Sequence, residues 1–504
     1  MEIWEGIAQL LETEPHGPAV QYEGSWWTWD DMRRIGDRMR AILDAADVGA
    51  SEGVGLVLRQ RPHSFGAYLG VLGGRRCAVM ITPIQPDLAI CADVRALRLR
   101  AVVADRQDWR RDGFREAVAA AGSIGIELTG DRTDPVRVVE GLETVGPEAH
   151  YPPAPNVGAA VLTSGTTGPP KRIAVSFDEF RGEFPENLWQ RTRRGVAITA
   201  VPLVSIGGAT SMVQSVWRGR AIALMERFDI WKWAELVLEH KPRHLGAPPA
   251  ALRMLLDAKV PPEYLASGEL FIAGSAPVDL ATSDEFERVY GVLVVRRYGA
   301  TEFLGNAMGF DLDALHLVKE KRGSVGTPRP GIKARIIDPA SGDELPAGEI
   351  GVLQIDTPRR SADAPPGWIT TNDLARRDED GFYWIEGRAD DVLIRGGFKV
   401  SADDVGAVLR DHPAVADAAV VGIPDPRLTQ VPIAAVVLKP AQATSAQELM
   451  DWVRARKPAY YVPTKVVFVD EIPRNAMLKV VPGRVRDLVN ALEAAEIPVG
   501  APTS

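Results

Sequence analysis

Through the first part of the chain, short apolar runs alternate with stretches of helical spacing, and this rhythm limits the fold more than any other feature. Residues 53–58, 78–82 and 101–104 read as buried strands, and residues 64–72 read as a helix between the first two. Residues 3–11 also have helical spacing, and residues 20–29 read as a short hairpin. Thr28 with Asp31 can cap a helix running to about Ala46. Strands that alternate with helices pair in parallel through crossover connections, so the expectation is an α/β fold on mainly parallel sheets.

The rhythm changes twice. Pro152, Pro153 and Pro155 make a linker-like run, after which a strand at 159–162 enters a loop rich in Thr, Ser and Gly. Alternation then resumes to about Tyr298. From Gly323 to Gly387, Gly and Pro turns recur among short strands such as 334–337 and 351–355, which predicts a small antiparallel sheet or barrel. Beyond Arg388 lies a separate α+β piece. Ser401 with Asp404 caps a helix reaching Leu409, strands follow at 415–421 and 433–438, then a helix at 445–456 and a strand at 465–469. The reading is a large N-terminal domain, 1–389, of two α/β sheets plus a small β-barrel, and a small mobile α+β domain, 390–504. The tail from Pro498 is expected to fray.

At 504 residues the chain exceeds one ordinary domain, and its 46% hydrophobic content excludes wholesale disorder. A net charge of −9 without a basic block argues against nucleic acid as a partner. One Lys or a metal ion in a cleft still suffices to bind a small anion. Cys77 and Cys91 form neither a disulfide framework nor a zinc spacing, and read as buried thiols in a reducing compartment. The acidic N-terminus does not read as a signal peptide, and no apolar run is long enough to span a bilayer, so a cytoplasmic location is expected.

The loop Thr163-Ser164-Gly165-Thr166-Thr167-Gly168-Pro169-Pro170-Lys171 carries the strongest chemical signal. Its glycines allow close backbone approach to an anion, its hydroxyls and N–H groups can wrap phosphate oxygens, and Lys171 adds charge. It is not a Walker A loop, which requires GxxxxGK[ST].

This string resembles the phosphate loop of the adenylate-forming superfamily, which includes acyl- and aryl-CoA synthetases, nonribosomal peptide adenylation domains and beetle luciferases. Other segments match in the family's order. Gly274-Ser275-Ala276-Pro277 resembles its adenine-side loop, Tyr298-Gly299-Ala300-Thr301-Glu302 its YGxTE motif, and Thr371-Asn372-Asp373 its TGD motif. Gly387-Arg388-Ala389-Asp390-Asp391 resembles the hinge, Gly396-Gly397-Phe398-Lys399-Val400 the CoA-side hairpin, and Pro473-Arg474-Asn475-Ala476-Met477-Leu478-Lys479 the C-terminal lysine motif.

The resemblance implies the chemistry. A carboxylate attacks the α-phosphorus of ATP, and positive charge must offset the meeting of two anions. Mg²⁺ would supply part of it, with Glu302 and Thr167 as its protein ligands. Thr301 and the loop hydroxyls would hold phosphate oxygens, Tyr298 would face adenine, and Asp373 would accept from the ribose hydroxyls. Arg388 would reach the ribose or phosphates, and Lys479 would bridge the carboxylate and α-phosphate. Rotation about Asp390 would then bring Gly396, Gly397 and Lys399 to the cleft for attack by a thiol.

Several positions depart from the family pattern. Val204-Ser205-Ile206-Gly207-Gly208, the candidate acyl pocket, has Ser205 where His is common. Arg172, Asn372 and Leu478 each stand where Gly is frequent, and Asp404 where Glu is frequent. Residues 204–209 contain no acid to hold an amino-acid ammonium, and Asp229 reads as a helix-start residue. The small residues there suggest a roomy apolar pocket for a fatty, aromatic or alicyclic acid. His240 and His244 have a metal spacing, but Pro242 between them breaks the helix it needs.

The expected activity is therefore an ATP-dependent carboxylic acid:CoA ligase using ATP, Mg²⁺ and coenzyme A, acting on small molecules, with room for a homodimer. The alternatives are an adenylating enzyme that loads a carrier protein and a nucleotide-binding homologue with little turnover.

Overall fold

The computed structural model describes residues 5, 14–162, 172–182, 195–199, 201–274, 278–361, 366–389, 392–395, 398–425, 427–475 and 478–496. The helix expected at 3–11 lies outside this set. The chain divides into two compact units. The first holds the described residues up to Ala307 together with Pro358–Pro366, and the second holds Met308–Thr357 and the described residues from Gly367 onward.

The first unit opens with a hairpin of β1 (Pro18–Tyr22) and β2 (Ser25–Thr28), then β3 (Gly53–Val57), β4 (Cys77–Ile81), β5 (Ala101–Asp105), β6 (Ile124–Leu128), β7 (Val136–Val138), β8 (Val157–Leu162) and β9 (Arg172–Ser176). Seven of these form one sheet in the order β7-β6-β5-β3-β4-β8-β9. Its inner strands pair in parallel, and β7 and β9 close the edges antiparallel. Every residue of β3, β4, β5 and β6 is buried, as expected where helices cover both faces of a parallel sheet.

The expected cap is present in both directions: Thr28 Oγ1 accepts from the Asp31 N–H, and the Asp31 carboxylate accepts from the Thr28 N–H. The helix it starts, Trp29–Ala45, packs on Pro62–Gly73. A Cβ added at Gly70 would lie 2.7 Å from the Gly36 carbonyl oxygen, so this crossing requires glycine.

Two further sheets complete the unit. β10 (Val196–Thr199) and β11 (Ala221–Leu224) join the opening hairpin in the order β10-β11-β1-β2, and β12 (His244–Gly246), β13 (Leu270–Ala273) and β14 (Leu293–Arg296) form a parallel trio. At the carboxyl end of β5, Asp105 gathers a polar cluster. Its carboxylate lies 2.8 Å from His63 Nε2 and accepts from Arg61 Nη1 at 2.8 Å, and Arg61 also pairs with Glu226.

The unit ends with β15 (Tyr298–Ala300), and β16 (Gly305–Gly309) leads into the second unit, where Met308 and Gly309 pair with β17 (Thr327–Pro328). There β18 (Lys333–Ile337), β19 (Gly351–Asp356), β20 (Ile369–Arg377) and β21 (Tyr383–Arg388) form the expected small antiparallel sheet. The chain continues through β22 (Val392–Arg395), β23 (Phe398–Ser401), β24 (Val415–Asp425), β25 (Thr429–Leu438) and β26 (Lys465–Phe468), a five-stranded sheet ordered β23-β22-β25-β24 with β26 on β25. Val405, Leu409, Leu449 and Val453 cover one side from the helices Ala402–Arg410 and Ala446–Arg454; Val485 and Val489 of Pro482–Glu496 join a second cluster. Ser401 Oγ accepts from the Asp404 N–H, as the sequence predicts.

β24 runs past its expected end at Val421 to Asp425, because the Asp425 carboxylate accepts from the N–H groups of Arg427 and Leu428 and so builds the turn into β25. Cys77 and Cys91 are both buried and unpaired, and burial pushes the Cys77 thiol up to about 12. Among the described residues, no helix is long and apolar enough to cross a membrane.

Candidate active site

β8 and β9 form a hairpin with Leu162 opposite Arg172. Their connection, Thr163 to Lys171, with Ser164, Gly165, Thr166, Thr167 and Gly168 between, lies outside the described residues. It departs from the carboxyl end of β8, which runs parallel to β4; α/β sheets bind ligands at that end. Arg172 forks onto the Asp93 carboxylate at 3.0 and 2.5 Å and reaches the Met80 carbonyl at 3.2 Å. It thus braces the loop's exit against a helix and β4, a job the family's usual glycine could not do. Gly274 follows β13 directly. Ser275, Ala276 and Pro277 lie outside the described residues, but Arg296 pins the far side of their loop through the Val278 carbonyl at 3.1 Å and Ser283 Oγ at 2.8 Å.

Tyr298 to Glu302 form a tight turn. β15 passes into the short 3₁₀ turn Thr301–Phe303, then Leu304 adopts φ 56° and Gly305 φ 112°. A Cβ at Gly299 would lie 2.1 Å from the Gly305 carbonyl oxygen, so only glycine lets the turn close. Tyr298 is buried with its ring 5.8 Å from Phe303, Ala300 and Thr301 are half-buried, and Glu302 is exposed. The Leu304 carbonyl accepts from Arg359 Nη2 at 3.0 Å, and Ser361 Oγ accepts from the Ala174 N–H at 3.2 Å. Arg359 and Ser361 therefore tie the carboxylate turn to the edge strand β9. Nothing in the sequence announces this.

The candidate acyl stretch is held by a residue the sequence reading missed. Gln60 donates to the Val201 carbonyl at 2.9 Å and accepts from the Leu203 N–H at 2.7 Å. Ser205, which stands in the place of the common His, accepts from the Gly208 N–H at 3.1 Å and donates to the Pro202 carbonyl at 2.8 Å. It caps the helix Ile206–Trp217. The roomy pocket suggested by the small residues needs correction. A Cβ at Gly208 would meet the Pro202 carbonyl oxygen at 2.1 Å, and Ala209 is fully buried in the core. These residues are small because backbone and core press on them. Val204 is buried, Ile206 half-buried and Gly207 exposed.

In the second unit, strand register does the assembling. β20 and β21 pair so that Asp373 stands opposite Arg388, with a bulge beside Leu374 and Gly387 at φ 139°. The Asp373 N–H donates to Thr371 Oγ1 at 3.1 Å, and the Ala389 N–H donates to the Asn372 carbonyl at 2.6 Å. Asp390 comes next in the chain and lies outside the described residues. So do Gly396 and Gly397, between the paired Arg395 and Phe398, and so does the Lys399 side chain.

Lys479 sits half-buried in a closed loop. Arg474 bridges Val480, the Asn475 N–H donates to the Lys479 carbonyl at 2.8 Å, and Asn475 Oδ1 accepts from the Lys479 N–H at 3.0 Å. Arg474 binds the Leu478 carbonyl at 2.7 Å and the Asp417 carboxylate at 2.6 Å. Leu478 carries φ 57°, the conformation for which the family's glycine is suited.

The histidines fall on different elements. His240 ends the helix Ile230–His240 and faces Gln21, while His244 opens β12. Asp229 caps that helix by accepting from the Lys232 N–H at 2.9 Å, as the sequence predicts.

A family model described as AMP-binding enzyme matches residues 8–360, and one for the AMP-binding enzyme C-terminal domain matches residues 404–479. The chain belongs to the AMP-binding enzyme family. It is thus an adenylate-forming acid ligase. It is 28% identical over 499 residues to a fatty acid–[acyl-carrier-protein] ligase of Streptomyces coeruleorubidus, covering 94% of each chain. It is 30% identical over 385 residues to a mitochondrial malonate–CoA ligase of Homo sapiens, covering 64% of each. Its fold matches that of ATP-bound MatB from Rhodopseudomonas palustris with a TM-score of 0.81 and 24% identity, over 98% of this chain and 100% of the other.

Proposed function

We propose that this family member is a carboxylic acid:CoA ligase, with residues 1–389 as its body and 390–504 as a lid that turns about Asp390. The register that sets Asp373 opposite Arg388 carries the reading, because it puts an acceptor-only side chain and a fixed cation side by side, one residue pair before the hinge. Asp373 accepts from the ribose hydroxyls, and Arg388 binds ribose or phosphate oxygens. Tyr298 with the loop Gly274 to Pro277 holds the adenine. Thr301 and the loop from Thr163 to Lys171 take the phosphates. Lys479 enters between the substrate carboxylate and the α-phosphate, offsetting their repulsion as the new bond forms and pyrophosphate leaves.

Mg²⁺ fits this donor set. Glu302 is an exposed carboxylate on a rigid turn, and among the described residues no cluster of three His, Cys, Asp or Glu side chains forms a protein cage. A cation held mainly by phosphates and by Glu302, with Thr167 beside it, matches that pattern. When bound it neutralises phosphate charge.

In the second half-reaction Lys479 withdraws and the β22–β23 hairpin comes to the cleft. Gly396 and Gly397 give pantetheine room beside the backbone, and Lys399 lies next to them in sequence. The CoA thiol attacks the acyl carbonyl and AMP leaves. A carrier-protein acceptor is the second reading, favoured by the 94% coverage shared with the carrier-protein ligase. Pyrophosphate exchange with ATP, Mg²⁺ and a panel of acids, followed by addition of CoA, tests both. The expected result is exchange and then thioester. Exchange without thioester selects the carrier reading, and no exchange with any acid leaves only nucleotide binding.

A further inference from the structure

The stretch that leads into the candidate acyl pocket loses its strand neighbour before it gets there. β10 pairs with β11 in parallel as far as Thr199 opposite Leu224, and residues 201–203 run beyond that end. There the Gln60 amide takes over. It donates to the Val201 carbonyl at 2.9 Å and accepts from the Leu203 N–H at 2.7 Å. A residue in a parallel ladder bonds in this way to the carbonyl before and the N–H after the residue it faces. One primary amide, with a donor and an acceptor on the same carbon, therefore stands in for a strand residue facing Pro202.

The amide is held out from a braced turn. The Arg61 N–H donates to the Arg59 carbonyl at 2.8 Å, which puts Gln60 at the apex. On one side Arg59 binds the fully buried Asp108 carboxylate through Nε and Nη2, both at 2.7 Å. On the other, Arg61 binds Asp105 at 2.8 Å and Glu226, just beyond β11, at 2.7 Å. Charge-assisted bonds of this kind fix a turn more firmly than neutral ones. What Gln60 holds is passed on without slack. A Cβ at Gly208 would lie 2.1 Å from the Pro202 carbonyl oxygen and 2.7 Å from the Leu203 Cα, so the first turn of the helix Ile206–Trp217 is in backbone contact with residues 202–203 and moves with them. Ser205, which caps that helix, and Ile206, which opens it, go with it.

Building on the ligase reading above, we propose that Gln60 is a positioning residue for the carboxylic acid: its amide fixes residues 201–203, and through them the wall of the acyl pocket, while nucleotide binding, assigned above to other elements, is independent of it. The test measures pyrophosphate exchange with the best acid of the panel, separating KM for the acid from KM for ATP. Gln60→Leu keeps most of the bulk and removes both bonds. It should raise the acid KM by about 10-fold or more and leave the ATP KM within about 2-fold. Gln60→Glu is the second variant. As a carboxylate it loses the bond to the Val201 carbonyl; protonated, its O–H donates there and its other oxygen accepts from the Leu203 N–H, as the amide does. Relative to wild type at the same pH, its acid KM should be raised at about pH 8 and fall back toward wild type at about pH 5.5, whereas that of Gln60→Leu stays raised at both. Equal rises in the two KM values, or an acid KM unmoved in folded Gln60→Leu, overturn this inference and leave the ligase reading intact. A Gln60→Glu ratio that does not change with pH also overturns it, and this arm decides alone if Gln60→Leu does not fold. Absence of exchange with every acid in the wild type overturns both.

Discussion

Lys479 and Leu478 are neighbours with opposite relations to their backbone. Lys479 is placed by the bond its N–H donates to Asn475 Oδ1 and the one its carbonyl accepts from the Asn475 N–H, whereas Leu478 holds a left-handed conformation that a side chain opposes. Leu478→Gly should raise unfolding free energy by about 1 kcal/mol, read by chemical denaturation, because the steric penalty of that region disappears. Lys479→Ala should lower pyrophosphate exchange by at least about 100-fold, the scale of losing one charge from a transition state. It should spare thioester formation from preformed acyl-adenylate, and equal losses in both assays would remove Lys479 from its assigned step. The motif made Lys479 legible in the sequence. Ser205 was legible only as a departure, since nothing local shows that its hydroxyl caps a helix. Gln60 was invisible, because its partners lie about 140 residues away in the chain.

Elements were read more securely than single roles. β3, β4 and β5 declared themselves because strands buried on both faces must be continuously apolar. The helix from Trp29 was fixed by its reciprocal cap. The end of β24 was missed because Gly422 and Pro424 are breakers in most strands, and only the Asp425 turn keeps the pairing in register. The polar cluster at the end of β5 also escaped notice, since His63, Arg61 and Glu226 meet only after folding. It makes a pH prediction. Burial pushes the Asp105 carboxyl up, but bonds from His63 and the Gln107 N–H, with the charge of Arg61, outweigh it and hold the group at about 2. A depressed carboxyl stabilises the fold above its unfolded value of about 4, and the contribution is lost as pH falls from there through about 2. Acid unfolding should therefore show a loss of about 2 kcal/mol across that window that is missing in Asp105→Asn.

At the scale of the molecule, the alternation of strands and helices foretold parallel sheets, and the Gly and Pro turns foretold the small antiparallel one. The path of Pro358–Pro366 was not foretold: it belongs with the first unit although the chain on either side of it belongs with the second. Such an excursion leaves no periodic trace, being set by single contacts such as Arg359 to the Leu304 carbonyl. If residues 390–504 turn about Asp390, fixing φ there should stall the cycle halfway. Asp390→Pro should retain pyrophosphate exchange within a few-fold and lower thioester formation by at least about 10-fold. An unchanged second step would show that the turn occurs elsewhere.

The two interior sulfurs offer a practical opening. With Cys77 and Cys91 both shut away, a maleimide dye applied to the native enzyme should find almost nothing to label, while denaturant should release two reactive groups per chain. One cysteine introduced on each side of Asp390 could then carry a donor and an acceptor fluorophore with no prior removal of native thiols, so that any swing of the C-terminal segment is timed on single enzymes during turnover.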